Sequence, residues 1–377
     1  MASAGTDDHH GSHRELLWTP DEPSSHSGKL DAIIVPTIRR PTVLRHAAEI
    51  ATSLGCALVT LHSGKWTSAR DAAQQLSRET NLIAIDMPAH ANLCLPVLET
   101  SRLLANTRFA RRTDLSIKRN LGLALCHMVG WDRIIFLDDD ITVCDTANLS
   151  QAAGLLDTHN AVGFLIDGFP DHSVVCHAYR MVGGPQQSFI GGGALAVQVT
   201  RNYSFFPDIY NDDWFYLLDA KKGLQPVATT GRVIQSPYDP FRNPDRARAE
   251  ELGDVLAEGT FWLLDQNRSL MDADLPYWRD FLDRRGRFIK HVLDLVRQAD
   301  IEESEKGRMM AALKASTGRL AHITPELCRD YLHACATDRE LWRDHIDRLP
   351  SNQSLWAALR LLLGPRSDQF DVVVRNG

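Results

Sequence analysis

Between residues 31 and 137 short apolar runs alternate with amphipathic stretches, and Gly or Pro marks several of the changes. This pattern restricts the fold most. Strands separated by helices of roughly 10–15 residues pair side by side in a mostly parallel sheet, giving an α/β fold class. The runs "AIIVP" (32–36), "CALVTL" (56–61), "NLIAID" (81–86) and "RIIFL" (133–137) read as buried strands. Between the first two, "TVLRHAAEIATSL" (42–54) has helical spacing, begins after Pro41 and stops at Gly55, a residue favoured just past a helix end. A helix around 67–79 follows the second strand, and a looser stretch fills 87 to about 112. "DLSIKRNLGLALCHMVG" (114–130) is then a helix that Asp114 or Thr113 can cap and Gly130 ends.

Beyond that point 151–159 reads as a helix and "AVGFLI" (161–166) as a strand. "SFIGGGALAVQV" (188–199) joins a triple glycine to a strand, and "QPVATTGRVIQSP" (225–237) reads as β-structure. "YNDDWFYLLDAKKG" (210–223) reads as a helix capped by Asn211 or Asp212. From about 245 to 363 the pattern is helical, and Trp262, Trp278, Trp342 and Trp356 sit at apolar positions expected to face a core. The expected division is a disordered tail (1–28), an α/β domain (29–240) and a C-terminal helical region (241–377).

The tail is rich in Ser, His, Gly and Asp, so His9, His10 and His13 are expected to be solvated. It lacks the apolar centre of a secretory signal, and no apolar run in the chain reaches the ~18 residues of a transmembrane helix. A net charge of -7 argues against a nucleic-acid partner. Seven dispersed cysteines without a CxxC pair read as reduced thiols, which with the missing signal points to a cytoplasmic protein. The mixed charge of the helical region favours packing, or a homodimer, over contact with a membrane.

The chemistry gathers at "LDDD" (137–140), at the C-terminal end of a buried strand, the edge where open α/β sheets bind ligands. Adjacent carboxylates repel and call for a nearby cation. Their oxygens suit Mg²⁺ or Mn²⁺. On an extended backbone alternate side chains share a face, so Asp138 and Asp140 are expected to converge and Asp139 to point away. The plainer alternative is an acidic loop or a helix cap. Upstream, Lys118, Arg119 and Asn120 lie in the first turns of the helix leading into that strand, where cations can reach phosphate oxygens. His172 and His177 can face a ligand or simply support the fold.

Taken in order, four segments resemble GT-A-fold glycosyltransferases of the family-2 type, which transfer sugars from nucleotide-diphosphate donors. They are "IIVPTIRRP" (33–41), "SIKRNLGLALCHMVGWDRIIFLDDDI" (116–141), "FIGGGALAV" (189–197) and "FPDIYNDDWFYLLDAKKGLQPVATTGRVIQSP" (206–237). The resemblance implies a Rossmann-like GT-A sheet with a DxD motif. Asp138 and Asp140 would hold Mn²⁺ or Mg²⁺ and, with Asp139, the donor. Pro36, Thr37, Arg39, Lys118, Arg119 and Asn120 would lie by the nucleotide, and Gly191, Gly192 and Gly193 by the sugar and acceptor. Asp213, or its neighbour Asp212, would be the general base on the acceptor hydroxyl, although helix capping also explains acidic residues there. The acceptor is open: a small molecule, a glycan or a lipid-linked group.

The chain also departs from the family's pattern. "HSG" (62–64) stands where an Asp often reads the base, and Gln235, Tyr238 and Asp239 stand where a histidine often completes the metal shell. "VPTIR" and "LDDD" also resemble UDP-arabinopyranose mutases. A nucleotide-sugar mutase and a non-catalytic nucleotide-sugar-binding protein are the alternatives.

Overall fold

In the computed structural model residues 6–20, 27–88, 92–169, 173–188, 190–219, 223–364 and 371–376 are described. The strands are β1 (Ala32–Thr37), β2 (Ala57–His62), β3 (Leu82–Asp86), β4 (Arg133–Leu137), β5 (Ile141–Thr142) and β6 (Ala161–Gly168). They continue with β7 (Ala194–Gln198), β8 (Leu218–Asp219), β9 (Gly223–Leu224), β10 (Val227–Gln235) and β11 (Val372–Arg375). One sheet has the order β11-β3-β2-β1-β4-β7-β6-β10-β5, and β8 and β9 form a separate ribbon. β1 pairs in parallel with β2 and β4, β2 with β3, and β6 with β10. β7, β5 and β11 run against them, so the sheet is mixed.

The helices are α1 (Arg45–Leu54), α2 (Ala69–Gln75), α3 (Glu99–Leu104), α4 (Leu115–Val129), α5 (Ala147–Leu155) and α6 (Val174–Met181). They continue with α7 (Asp212–Tyr216), α8 (Pro244–Asp265), α9 (Leu275–Gln298), α10 (Glu303–Leu320), α11 (Pro325–Arg348) and α12 (Leu355–Leu362). The alternation of strand side chains splits the core into two layers. Ile33, Val35, Leu58 and Ile135 pack with α1, α2 and α5, whereas Ile34, Val59, Ile134 and Phe136 pack with α4 and α8 to α12. The second cluster runs without a break from the strands to Trp278, Phe288 and Trp342, so the C-terminal helices share the sheet's own core.

Local signals explain the elements that position the ligand edge. Gly55 and Gly130 close α1 and α4 in the left-handed conformation, with φ of 63° and 81°, where a side chain would be strained. At Gly122 a Cβ would come within 2.9 Å of Ile34, so this glycine lets α4 lie tightly on β1 and β4. The cap of α4 differs from expectation. Asp114 makes no side-chain cap bond and instead pairs with Lys118 at 3.1 Å.

Three further expectations are corrected. The N-terminal segment, in its described part, is packed rather than solvated. His9 stacks on Phe288 at 4.0 Å, His13 is buried against Trp214, and Trp18 bridges to Ala228 of β10. Aromatic stacking and backbone pairing outweigh the polar composition that predicted disorder. The C-terminal region is not purely helical, because β11 extends the main sheet along β3. Trp356 lies on the surface at 50% exposure, unlike the buried Trp278 and Trp342. Among the described residues no helix is long and apolar enough to cross a membrane, and all seven cysteines are free.

Candidate active site

At the carboxyl ends of β1 and β4 the chain turns sharply. β4 ends at Leu137, and the Ile141 N–H donates to the Asp138 carbonyl at 3.1 Å, closing a turn over the three aspartates. The alternation rule therefore stops one residue before it is needed, and the expected convergence of Asp138 with Asp140 is not what the turn produces. Asp139 and Asp140 instead share Arg39, whose guanidinium donates to Asp139 Oδ1 at 2.7 Å and Asp140 Oδ2 at 2.9 Å. Thr37 Oγ1 donates to the other oxygen of Asp139 at 2.5 Å. Burial raises the Asp139 carboxyl above the usual range while Thr37 and Arg39 work against it.

Asp138 faces the opposite way, into a cleft lined by Arg111, Arg119, Gly191, Gly192, Gly193, Asp213 and Gln235 among others. Its backbone N–H donates to the Gly193 carbonyl at 2.8 Å, tying the turn to the glycine segment before β7. Arg119 crosses beneath. Its Nη1 donates to Asp212 Oδ1 at 2.7 Å, and its Nη2 lies 3.4 Å from Asp138 Oδ1. The cations that offset the three aspartates are thus Arg39 on one side and Arg119 on the other. Gly192 is required by close approach, since a Cβ there would meet the Arg119 guanidinium at 2.5 Å.

On α7 the two acidic residues have separate tasks. Asp212 is fully engaged in the floor, accepting from Arg119 and from Ser116 Oγ at 2.9 Å. Asp213 lines the cleft. Its Oδ2 accepts from the Gly192 N–H at 2.5 Å and its Oδ1 from the Trp214 N–H at 3.0 Å. Burial, reinforced by the neighbouring Asp212 charge, pushes its carboxyl up to about 6. Asn211 precedes the helix at φ 62° without a side-chain cap bond.

Other expected site residues are brought close but used as supports. Lys118 is buried and spends its ammonium on the Thr37 carbonyl at 3.0 Å, Ser63 Oγ at 2.7 Å and Asp114. It braces the loops after β1 and β2 rather than facing phosphate, and burial lowers its pKa. Asn120 uses both amide atoms on the Phe206 backbone, at 2.8 Å each, so it holds the segment before α7 and not a sugar or base. Pro36 lies within β1, paired with Leu61. His62, in the base-reading position, bonds Thr67 and Thr60, and burial with the nearby Lys118 charge lowers it to about 4, so it stays neutral.

Of the residues standing in for a metal-shell histidine, Gln235 lines the cleft, while Tyr238 bonds His177 at 2.6 Å and Asp239 pairs with Arg308. His177 is a buried support stacked on Phe169, and His172 lies outside the described residues, as does Phe189 of the glycine segment. The residues that sequence reasoning passed over are Ser116, Arg111 and Tyr210. Ser116 sits in the quoted motif one turn before Asn120, a helical spacing that puts both on the inner face.

As a divalent-cation seat the turn fits in part. Asp138 opens onto the cleft, but Asp140 is held by Arg39, which is about half exposed at 47%. Elsewhere, among the described residues, only His9, Cys176 and Glu258 form a trio with ligand atoms within 4.8 Å of one another. That trio does not suit a metal. Arg285 already sits on Glu258 at 3.2 Å, and burial keeps the Cys176 thiol protonated.

No family model matches the chain, and no curated protein matches it in sequence. Among solved structures it is similar to a "putative nucleotide-diphospho-sugar transferase" from Desulfovibrio desulfuricans G20, at 11% identity and a TM-score of 0.31, covering 67% of this chain and 98% of that one. A likeness at this level carries no argument about fold or function, so the site stands on its own residues.

Proposed function

We propose that the chain is a GT-A-type transferase that moves a sugar from a nucleotide-diphosphate donor to an acceptor hydroxyl. The observation that carries this reading is Asp213, a buried carboxylate with its pKa near 6, facing the same cleft as Asp138 at the carboxyl edge of the sheet. In the proposed step Asp213 takes the acceptor's hydroxyl proton while that oxygen attacks the anomeric carbon. The bond from that carbon to the donor's diphosphate breaks, and its electron pair leaves with the diphosphate.

The backbone of Gly191 to Gly193 lines the sugar and acceptor side. Thr37 and Arg39 border the nucleotide side next to Asp139. A divalent cation, Mn²⁺ or Mg²⁺, would be held by Asp138 on the cleft. When bound, it would stabilise the departing diphosphate as a Lewis acid. Arg119 pairs with Asp212 at 2.7 Å, so the second carboxylate of α7 sits beside Asp213 with a cation against it.

A thermal-shift panel of nucleoside diphosphates and their sugars, with and without Mn²⁺, tests donor binding. At least one is expected to stabilise the protein, and no stabilisation by any of them would sink the proposal. Asp213→Asn should keep the stabilisation while lowering turnover about 10²- to 10⁴-fold, the usual contribution of a general base.

A further inference from the structure

Beside the cleft lies a second cavity of about 800 Å³, within the size range of small-molecule sites. Arg108, Arg111 and Arg112 reach its wall from the segment between α3 and α4, Arg248 from the first turns of α8, and Arg319 from the last turn of α10. One carboxylate lines it, Asp245, and that group is paired with Arg248 at 2.5 Å. Asp208 offsets part of the Arg111 charge from outside the cavity. Among the described residues Arg108, Arg112 and Arg319 make no ion pair with an acidic side chain. A chain with net charge -7 thus concentrates uncompensated positive charge in one concave place.

The cluster is also preorganised. The Arg319 guanidinium lies over the Phe109 ring at 5.4 Å and donates to the Arg108 carbonyl, which fixes its plane. Burial and the neighbouring Arg108 and Arg248 charges lower its proton affinity, and Asp245 only partly opposes them. Guanidinium forks match phosphate oxygens two at a time, which a lysine cluster cannot do. Arg111 lines this cavity and the cleft alike, and Ile209 of the cavity adjoins Tyr210 of the cleft, so the two spaces share a wall.

We infer that the arginine cavity binds a phosphate group and seats a phosphate-bearing acceptor next to Asp213. The anion site stands on the cavity alone. Its assignment to the acceptor rests on the transferase reading above.

Calorimetric titration of the full chain with inorganic pyrophosphate tests it, with Arg112→Ala, Arg248→Ala and the double variant beside the wild type. Both arginines are exposed, and unchanged melting of the variants shows that they fold. Pyrophosphate should bind the wild type in a salt-dependent manner and weaken roughly tenfold for each arginine removed, the worth of one charged hydrogen bond. Arg39→Ala should leave that affinity unchanged, which places the anion outside the donor cleft. Co-sedimentation with phosphatidylcholine vesicles carrying phosphatidic acid separates the sources. Binding that the double variant loses marks a lipid headgroup, and pyrophosphate binding without it marks a soluble ligand. The inference is overturned if neither probe binds, or if binding survives in the double variant. Nucleoside diphosphates should still raise the melting temperature of the double variant. Loss of that response in the wild type would remove the donor and leave the anion cavity standing.

Discussion

At Asp213 burial and the Asp212 charge lift the carboxyl from its ordinary 3.8 to about 6, and a base must be deprotonated to work. The group ionises as pH rises through about 6, so kcat/KM should rise with pH and level off above that point. Below it the rate should fall roughly tenfold per pH unit. A pH profile of Asp213→Asn that keeps the same acid limb would assign the titration to another group. The sign for stability is opposite. Because the folded pKa exceeds the unfolded one, the group favours folding fully below about 4, and that contribution is lost as pH rises to about 6. Asp213 and its neighbour were legible in the sequence as a pair, but their division of labour was not. It depends on Arg119 and Ser116, which come from a distant helix and select Asp212. The aspartates at 138 to 140 show the same limit. Their need for a cation was readable, whereas the turn that gives Asp139 and Asp140 to Arg39 depends on where β4 stops.

Elements were read well where one signal decided them. β4 ends where the apolar run ends, and α1 and α4 end at left-handed glycines. Reading failed where contacts made across the fold decide. α7 is five residues long because the chain leaves it for the β8–β9 ribbon, although its sequence continues in helical spacing. The N-terminal segment likewise has a polar composition, yet its histidines find aromatic partners in α6, α8 and α9. The segment from Gly191 to Gly193 shows what a single element contributes to the site. Gly192→Ala places a methyl against the Arg119 guanidinium, which is held by Asp212 and Asp138 and stacked near Phe206. Such overpacking costs about 1–3 kcal/mol. Chemical denaturation should show that loss, with a further drop in turnover as the Gly192 N–H shifts from Asp213. An unchanged midpoint would mean that Arg119 yields freely.

Over the whole molecule a single apolar cluster joins the sheet to α8 through α12. One buried ionic knot fixes that union. Arg285 of α9 meets Glu251, Asp254 and Glu258 of α8, and His9 approaches Glu258 at 3.4 Å from the N-terminal segment. Burial pushes Glu251 up to about 7 against the pull of Arg285. Arg285→Met would leave the other carboxylates uncompensated, a loss of about 3–5 kcal/mol. Calorimetry should record a clear fall in melting temperature, and a neutral result would show that protonation alone can discharge the knot. The knot was not legible, because charged residues along α8 read as a solvated face until α9 covers them. The sheet's margins carry one more consequence. Strand β3 is closed by β11, and β10 by the short β5 and the Trp18 bridge, so segments from the two ends of the described chain seal opposite sides. Open strand edges invite pairing between molecules. Until both distant segments have docked, a nascent sheet exposes adhesive flanks. Folding of this chain is therefore a race between closing its own borders and recruiting a neighbour's strand, and shortening it at either end tilts that race towards aggregation.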